Sequence, residues 1–221
     1  MKTTIKLLAL LILVTVSSCN NSKKIEFKYT ESIKLLTCDL PNVDLLKEAI
    51  YAFENDIINT YDAQNRNIVK SYTSYINLKS RNKADVKEIA SAHSLAIAKA
   101  LKEDTNLWTV SNGVTTLNTS HSLIIDCIAN NIKNKDIKTS YKALLSTNSF
   151  KSNLILPLFI GNTGVIQTDG SLKSFVALEY FYSQLLDVRL EELKNPNPQL
   201  QPEPIKPAVN KVDFNKTPKV N

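Results

Sequence analysis

An apolar stripe with helical spacing is the feature that most constrains the fold of this chain. Its residues lie four, three, four and four positions apart: Leu46, Ile50, Phe53, Ile57 and Tyr61. This spacing places them on one face of an amphipathic α-helix. The stripe resumes at residues 68–76, so the pattern predicts either one long helix or two helices broken near residues 62–67.

The scarcity of glycine also favours helices over a sheet-rich fold. The chain has four glycines in 221 residues, against an average of about 7%, whereas a sandwich or barrel needs many tight turns. Further helical periodicity covers residues 84–102, the stretches after Thr119-Ser120 and Asn134, and residues 171–193. We therefore predict a mainly α, bundle-like single domain of about five helices, over residues 41–194.

Three segments need separate predictions within this domain. β-Branched residues flank the turn Ser111-Asn112-Gly113, which predicts a small β-hairpin near residues 107–117. The apolar run 154–160 contains Pro157 and is too short to span a bilayer, so it predicts a buried kinked helix or core segment. The helix over 171–193 is apolar around most of its circumference, which predicts a central position.

The first nineteen residues have the composition of an export signal. Lys2 and Lys6 precede the uncharged run 7–16, and small residues lead to Cys19, which are the three parts of a secretory signal. Ten apolar residues cover only about 15 Å as a helix, roughly half the hydrocarbon core of a membrane. Residues 1–18 are therefore predicted to be a signal peptide, and an ordinary signal containing a chance cysteine is the alternative.

The segment Val16-Ser17-Ser18-Cys19 resembles the lipobox of bacterial lipoproteins, in which leucine is more usual at the first position. The resemblance implies cleavage after Ser18, a diacylglycerol thioether on Cys19 and acylation of the new amine. The membrane is then the first expected partner, bound through an anchor that does not dissociate readily. Asn20 is not the aspartate associated with retention at the inner membrane, which favours the outer membrane with the domain facing the periplasm.

The charge pattern gives no indication of a nucleic-acid partner. Removal of Lys2 and Lys6 with the signal lowers the formal charge from +6 to +4, and the remaining lysines are scattered along the chain. Arginine occurs only at positions 66, 81 and 189, whereas nucleic-acid binders cluster basic and aromatic residues. We read the excess of lysine as a solvated surface.

Besides Cys19 the chain has Cys38 and Cys127, which leave two alternatives open. In an oxidising compartment they would form one disulfide; otherwise Cys127 is a buried thiol on an apolar helix face. The only histidines are His93 and His121, and no C-x-x-C or H-x-x-x-H spacing occurs. We therefore predict no metal site.

Two groups of residues resemble parts of a catalytic site, and we assign neither one a catalytic role. Ser120-His121-Ser122 with Asp126 has the residue types of a nucleophilic triad, but a triad is a spatial arrangement and Ser120 is better explained as a helix cap. His93 falls on the apolar face of its predicted helix, where a hydrogen-bonded core histidine is expected. No catalytic or cofactor-binding residue is predicted, and no cofactor.

The two ends of the mature chain are predicted to lie outside the packed domain. Residues 19–40 begin with polar residues and are expected to form a lipidated tether with a short strand or extended arm. Residues 195–221 hold six of the eight prolines, which predicts a disordered, proline-rich tail.

These features favour a non-enzymatic lipoprotein of the cell envelope that binds or scaffolds another envelope protein. Two alternatives remain from the sequence. The first is a hydrolase-like envelope enzyme, and the second is a carrier of a small apolar ligand.

Overall fold

The structure is a computed structural model that describes residues 25–196 except His121. The signal, Cys19 and tail residues 197–221 lie outside this range. Within it the chain is mainly helical, with one antiparallel hairpin, which confirms the predicted fold class. The helices are α1 Val43–Tyr61, α2 Ile68–Ser80, α3 Val86–Ile89, α4 Ala92–Lys102, α5 Leu123–Asn131, α6 Lys135–Ser146, α7 Ser152–Ile160, α8 Thr163–Ile166 and α9 Gly170–Phe175.

The hairpin lies where it was predicted. Strand β1, Trp108–Ser111, pairs with β2, Val114–Leu117, through the register Trp108↔Leu117. Asn112 and Gly113 both have positive φ, 51° and 76°, which is the turn geometry that Asn-Gly sequences favour.

The apolar stripe of residues 46–76 forms two helices rather than one. The side chain of Asp62 ends α1 by accepting hydrogen bonds from the Asn67 amide and the Lys70 ammonium. Asn67 in turn caps α2, because its side chain accepts from the Lys70 amide. This polar turn decides between the two alternatives.

The prediction of one helix over residues 84–102 is wrong. Ala90 and Ser91 are extended, with ψ of 135° and 164°, and separate α3 from α4. The Ser91 hydroxyl accepts from the Ser94 amide, and the Ser91 amide donates to the buried carboxylate of Asp56. A partner 35 residues away in sequence therefore breaks the helix.

The prediction of one helix over residues 171–193 is also wrong in its continuity. After α9 the chain forms a π-helical segment Val176–Phe181, a 3-10 turn Tyr182–Gln184 and a second 3-10 turn Leu190–Glu192. The Tyr180 carbonyl would accept a backbone amide if the α-helix continued. It accepts instead from the Tyr75 hydroxyl and from the side-chain amide of Gln184. The central position was predicted correctly, because residues 174–183 are all buried.

The packed domain begins before residue 41. Residues 25–40 contain no strand, and Tyr29, Leu36 and Leu40 are buried in the core, so this part of the expected tether belongs to the domain. Its backbone passes so close to α9 that Gly170 faces the Leu35 carbonyl with no room for a side chain. Residues 25–40 are therefore packed against the domain, whereas the polar start of the predicted tether had indicated a segment outside it.

Two further predictions concern helix ends and the apolar run. The third predicted helix begins after Ser122 rather than at Thr119-Ser120. The run at 154–160 is helical with Pro157 inside α7, where Ile155 and Phe159 are buried. Phe159 joins Tyr141, Phe150 and Phe175 in a cluster of edge-to-face aromatic rings. No helix among the described residues is both long and apolar enough to cross a membrane.

Candidate functional site

A cleft of about 300 Å³ opens between the starts of α1 and α5 and the end of α4. Three segments that are far apart in sequence form its walls: residues 40–46, 101–107 and 122–124. Its lining residues are Leu40, Pro41, Asn42, Leu45, Leu46, Leu101, Asp104, Asn106, Leu107, Ser122, Leu123 and Ile124. The walls are mostly apolar, and Asp104 is the one charged residue among those that line them. We refer to this site as the N-terminal cleft.

Two helices begin at the N-terminal cleft without a side-chain cap. Asn42 precedes α1 in a left-handed conformation, with φ of 57°, and its side chain accepts no hydrogen bond from the helix. Ser122 precedes α5, and its hydroxyl likewise does not cap its helix. Ser122 is 5% exposed and makes no side-chain hydrogen bond to another described residue. The starts of two helices, one of them with the largely buried residue Ser122, therefore lie at the same cleft.

The turn between α4 and β1 supplies a negatively charged side chain, Asp104, to the same cleft. One oxygen of Asp104 accepts from the Asn106 amide at 3.1 Å, which fixes the carboxylate at the cleft. The adjacent Leu107 is 4% exposed and forms part of the apolar wall. Trp108 donates its indole N–H to the carbonyl of Leu101 at 2.8 Å, so the chain's single tryptophan reports on this wall.

Cys38 and Cys127 form a disulfide in the structure, with Cα atoms 6.0 Å apart and a sequence separation of 89. The bond joins the arm to α5. Residues 40–42, two positions after Cys38, form one wall of the cleft, and residues 122–124, three positions before Cys127, form another. The disulfide thus holds two walls of the cleft together.

His93 lies on α4 in a buried contact with α1. Its Nε2 lies 2.6 Å from Oε1 of Glu48, and the His93 side chain is 14% exposed. The same carboxylate accepts hydrogen bonds from the backbone amides of Lys28 and Tyr29. Burial alone would raise the pKa of Glu48, but these hydrogen bonds outweigh it and lower that pKa. His93 is the hydrogen-bonded core residue that its position predicted.

Two further acids of α1 are buried in the helix layer. Glu54 accepts from the Tyr72 hydroxyl at 3.0 Å and from Lys173 at 2.8 Å. Asp56 accepts from the Ser91 amide, and its burial raises its pKa to about 6 although hydrogen bonds act against this. These carboxylates connect α1 to α2, α4 and α9, so they serve the packing of the domain.

A buried acid also ties the hairpin to the core. Glu179, in the π-helical segment, accepts the Leu117 amide at 2.7 Å. Burial raises the pKa of Glu179 to about 7, and burial lowers the pKa of nearby Lys79 to about 8. The Lys79 ammonium lies 6.0 Å from the centre of the Tyr180 ring. The apolar surroundings are thus the main cause that brings both pKa values close to 7.

Among the described residues, no side-chain hydrogen bond joins Ser120, Ser122 and Asp126, although the Asp126 amide donates to the Ser122 carbonyl within the helix. Ser120 and Asp126 are exposed, and His121 and Cys19 lie outside the described residues. No group of three metal-ligating side chains occurs within residues 25–196 as described. The prediction of no metal site therefore stays a prediction.

In comparisons with protein-family models, curated protein sequences and solved structures, no match to this chain was found.

Sequence reasoning missed the cleft because its walls come from three separate segments. Two of its residues carried a local signal, since Asn42 and Ser122 stand where helices begin. Nothing local indicated that these two helix starts meet each other beside Asp104. The buried acids Glu48, Asp56 and Glu179 were missed for the same reason, because their partners lie far away in sequence.

Proposed function

We propose that this chain is a lipid-anchored binding protein of the bacterial cell envelope, held at the outer membrane through Cys19 with its domain in the periplasm. The lipobox-like segment Val16–Cys19 supports the anchor. The N-terminal cleft carries the binding role, because apolar walls with a few polar groups at fixed positions are the usual make-up of a ligand site. Its volume of about 300 Å³ is at the small end of such sites.

The lining supports non-covalent binding of a compact molecule better than catalysis or transport of a long lipid. Leucine and isoleucine dominate the walls, and they stabilise a bound apolar group by removing it from water. His93, the best described candidate for a catalytic base, has its Nε2 held by Glu48 at 2.6 Å in a buried contact. That contact supports a structural role for His93.

The anchor is tested by cell fractionation of the full chain in a bacterium. We expect Cys19→Ala to move the protein from the membrane pellet to the soluble envelope fraction, because the acyl chains provide the attachment. Ser22→Ala is the matched control and should remain in the pellet. A Cys19→Ala protein that stays in the pellet after an alkaline wash would refute the anchor.

The cleft is tested by calorimetry with the full chain in detergent and N-phenyl-1-naphthylamine, an uncharged compact apolar probe, with detergent alone as the blank. We expect one binding site per chain. Leu123, at the rim, is 61% exposed, and Leu154, outside the cleft, is 48% exposed. Leu123→Trp should weaken binding by filling the opening, whereas Leu154→Trp should not. Equal affinity of both variants for the probe would contradict the assignment of the cleft as the binding site.

A protein partner is the second candidate, and the end of the hairpin favours it. Val110 and Val114 are 68% and 60% exposed at the end where Ser111 pairs with Val114. We expect a photo-crosslinking residue at Val114 to form one discrete adduct in the envelope of the producing bacterium, and the same residue at exposed Leu190 to form none. Identical adduct patterns at both positions would end this hypothesis.

A further inference from the structure

We propose that the N-terminal cleft binds a free apolar α-amino acid, with its carboxylate at the two helix starts, its ammonium at Asp104 and its side chain against the leucine walls. This proposal rests on the proposed function of the cleft as a binding site. This ligand class matches all three kinds of surface in the cleft.

The carboxylate position follows from the two uncapped helices. The first amides of a helix point away from it along its axis and carry a partial positive charge, so they attract anions. At α1 and α5 neither N-cap side chain accepts a hydrogen bond from these amides. Ser122 adds an independent indication, because its hydroxyl is in a 5% exposed residue that lines the cleft and has no side-chain partner among the described residues.

The acids near these helix starts do not occupy the cleft. Asp44 and Asp126 lie in the first turns of α1 and α5. The Asp44 side chain is 64% exposed and lies 3.8 Å from Lys47, and Asp126 is exposed. Neither residue lines the cleft, so the acids of these first turns leave the space at the two helix starts open to a ligand carboxylate.

The ammonium position follows from Asp104, which belongs to a different wall. One of its oxygens accepts from the Asn106 amide, which orients the carboxylate and leaves the second oxygen for a ligand. No lysine or arginine lines the cleft to neutralise it. A ligand with a negative charge alone would be repelled by Asp104, and a cation alone would meet the positive helix ends. A zwitterion satisfies both.

The size and the walls define the rest of the ligand. A cavity of about 300 Å³ holds a compact molecule, and a free amino acid carries its two opposite charges within a few ångströms of each other. Leu46, Leu101 and Leu107 are at most 6% exposed and provide the apolar surface for its side chain. A longer peptide separates its two charged ends and cannot place both of them in this cleft.

The first test uses the unaltered full chain in detergent and four ligands, by calorimetry and by Trp108 fluorescence. We expect leucine to bind. Leucinamide lacks the carboxylate charge and N-acetyl-leucine lacks the ammonium, so each should bind about tenfold more weakly or worse. Glycine lacks the side chain and should bind roughly thirtyfold more weakly than leucine. Equal affinities for leucine, its amide and its N-acetyl derivative would overturn the proposal.

The second test uses variants with matched controls. We expect Ser122→Ala to weaken leucine binding about tenfold, because a hydrogen bond to a charged group is lost, and exposed Ser120→Ala to leave it unchanged. Asp104→Asn should weaken leucine binding and abolish the preference for leucine over N-acetyl-leucine. Glu103→Gln, at an exposed neighbour outside the cleft, should keep that preference. Retention of the preference in Asp104→Asn would refute the ammonium position.

The outcomes separate this proposal from the proposed function. If N-phenyl-1-naphthylamine binds and Leu123→Trp weakens its binding, but leucine does not bind, the cleft remains a binding site and the amino-acid proposal is wrong. If Leu123→Trp leaves the binding of both the probe and leucine unchanged, the assignment of the cleft as the binding site is wrong. The ligand series on the unaltered chain decides the proposal even if a variant fails to fold.

Discussion

The Nε2 atom of His93 lies 2.6 Å from Oε1 of Glu48, and this contact joins α4 to α1 across 45 residues of sequence. The same carboxylate accepts the amides of Lys28 and Tyr29, so it also holds the arm against the helices. Three segments of the domain therefore depend on one buried acid.

Replacement of Glu48 should destabilise the domain. We expect Glu48→Gln to lower the free energy of unfolding by about 2–4 kcal/mol, because an uncharged amide cannot serve three donors and leaves buried groups unpaired. Urea unfolding at pH 7 measures this. Asp44→Asn, at a 64% exposed side chain on the same helix, is the control and should change stability by less than about 0.5 kcal/mol.

The pH dependence of this effect follows from the lowered pKa of Glu48. A carboxyl group with a pKa below its unfolded value of 4.5 stabilises the fold above that pH. The contribution is lost as the pH falls through the lower, folded pKa. The stability difference between the unaltered chain and Glu48→Gln should therefore shrink as the pH falls from 7 to below 4. A constant difference over this range would contradict the assignment.

Glu179 should have the opposite effect on stability. Its pKa rises from 4.5 unfolded to about 7 folded because it is buried, so the folded state binds more protons between these values. We expect this group to remove about 3 kcal/mol of stability as the pH rises from 4.5 to above 7. Glu179→Gln should keep only the decline below about pH 6 that the raised pKa of Asp56 contributes, and exposed Glu103→Gln should retain the decline in full. Denaturant unfolding from pH 4.5 to 8 measures the three proteins.

Loss of the disulfide should lower stability because Cys38 and Cys127 are 89 residues apart. Closing a loop of this length restricts the unfolded chain and contributes about 4.6 kcal/mol in the chain-entropy treatment. We expect a Cys38→Ser, Cys127→Ser variant to unfold at lower denaturant concentration by this amount. A reducing agent should destabilise the unaltered chain equally and leave the variant unchanged. Insensitivity of the unaltered chain to reduction would contradict this prediction.

Gly170 should not tolerate a side chain. A Cβ atom at this position would overlap the backbone carbonyl of Leu35, which cannot move without displacing the arm. We expect Gly170→Ala to cost about 1–3 kcal/mol. Gly161→Ala is the control, since nothing lies within 4 Å of its Cβ position, and it should be neutral or slightly stabilising. Thermal unfolding compares the two variants, and equal effects would refute the close approach.

Local signals were sufficient for the type of most elements. The four-three-four spacing of residues 46–61 predicted α1, and the Asn112-Gly113 turn predicted the hairpin. Local signals were not sufficient to predict where a helix is interrupted. Residues 84–102 have a helical period throughout, yet Ser91 breaks the helix because its amide donates to Asp56 on α1. Tyr180 similarly lies where an α-helix was expected, and its carbonyl accepts from Tyr75 and Gln184 instead.

The sequence by itself determined that this is a mainly helical chain with one hairpin, because helix and turn preferences depend on residues a few positions apart. It also supplied the lipobox-like segment on which the proposed anchor rests. Only the tertiary structure decided that the arm belongs to the domain and that Asn42, Asp104 and Ser122 line one cleft. The physical reason is that a site is defined by packing between distant segments, and no local pattern records which helix starts will meet.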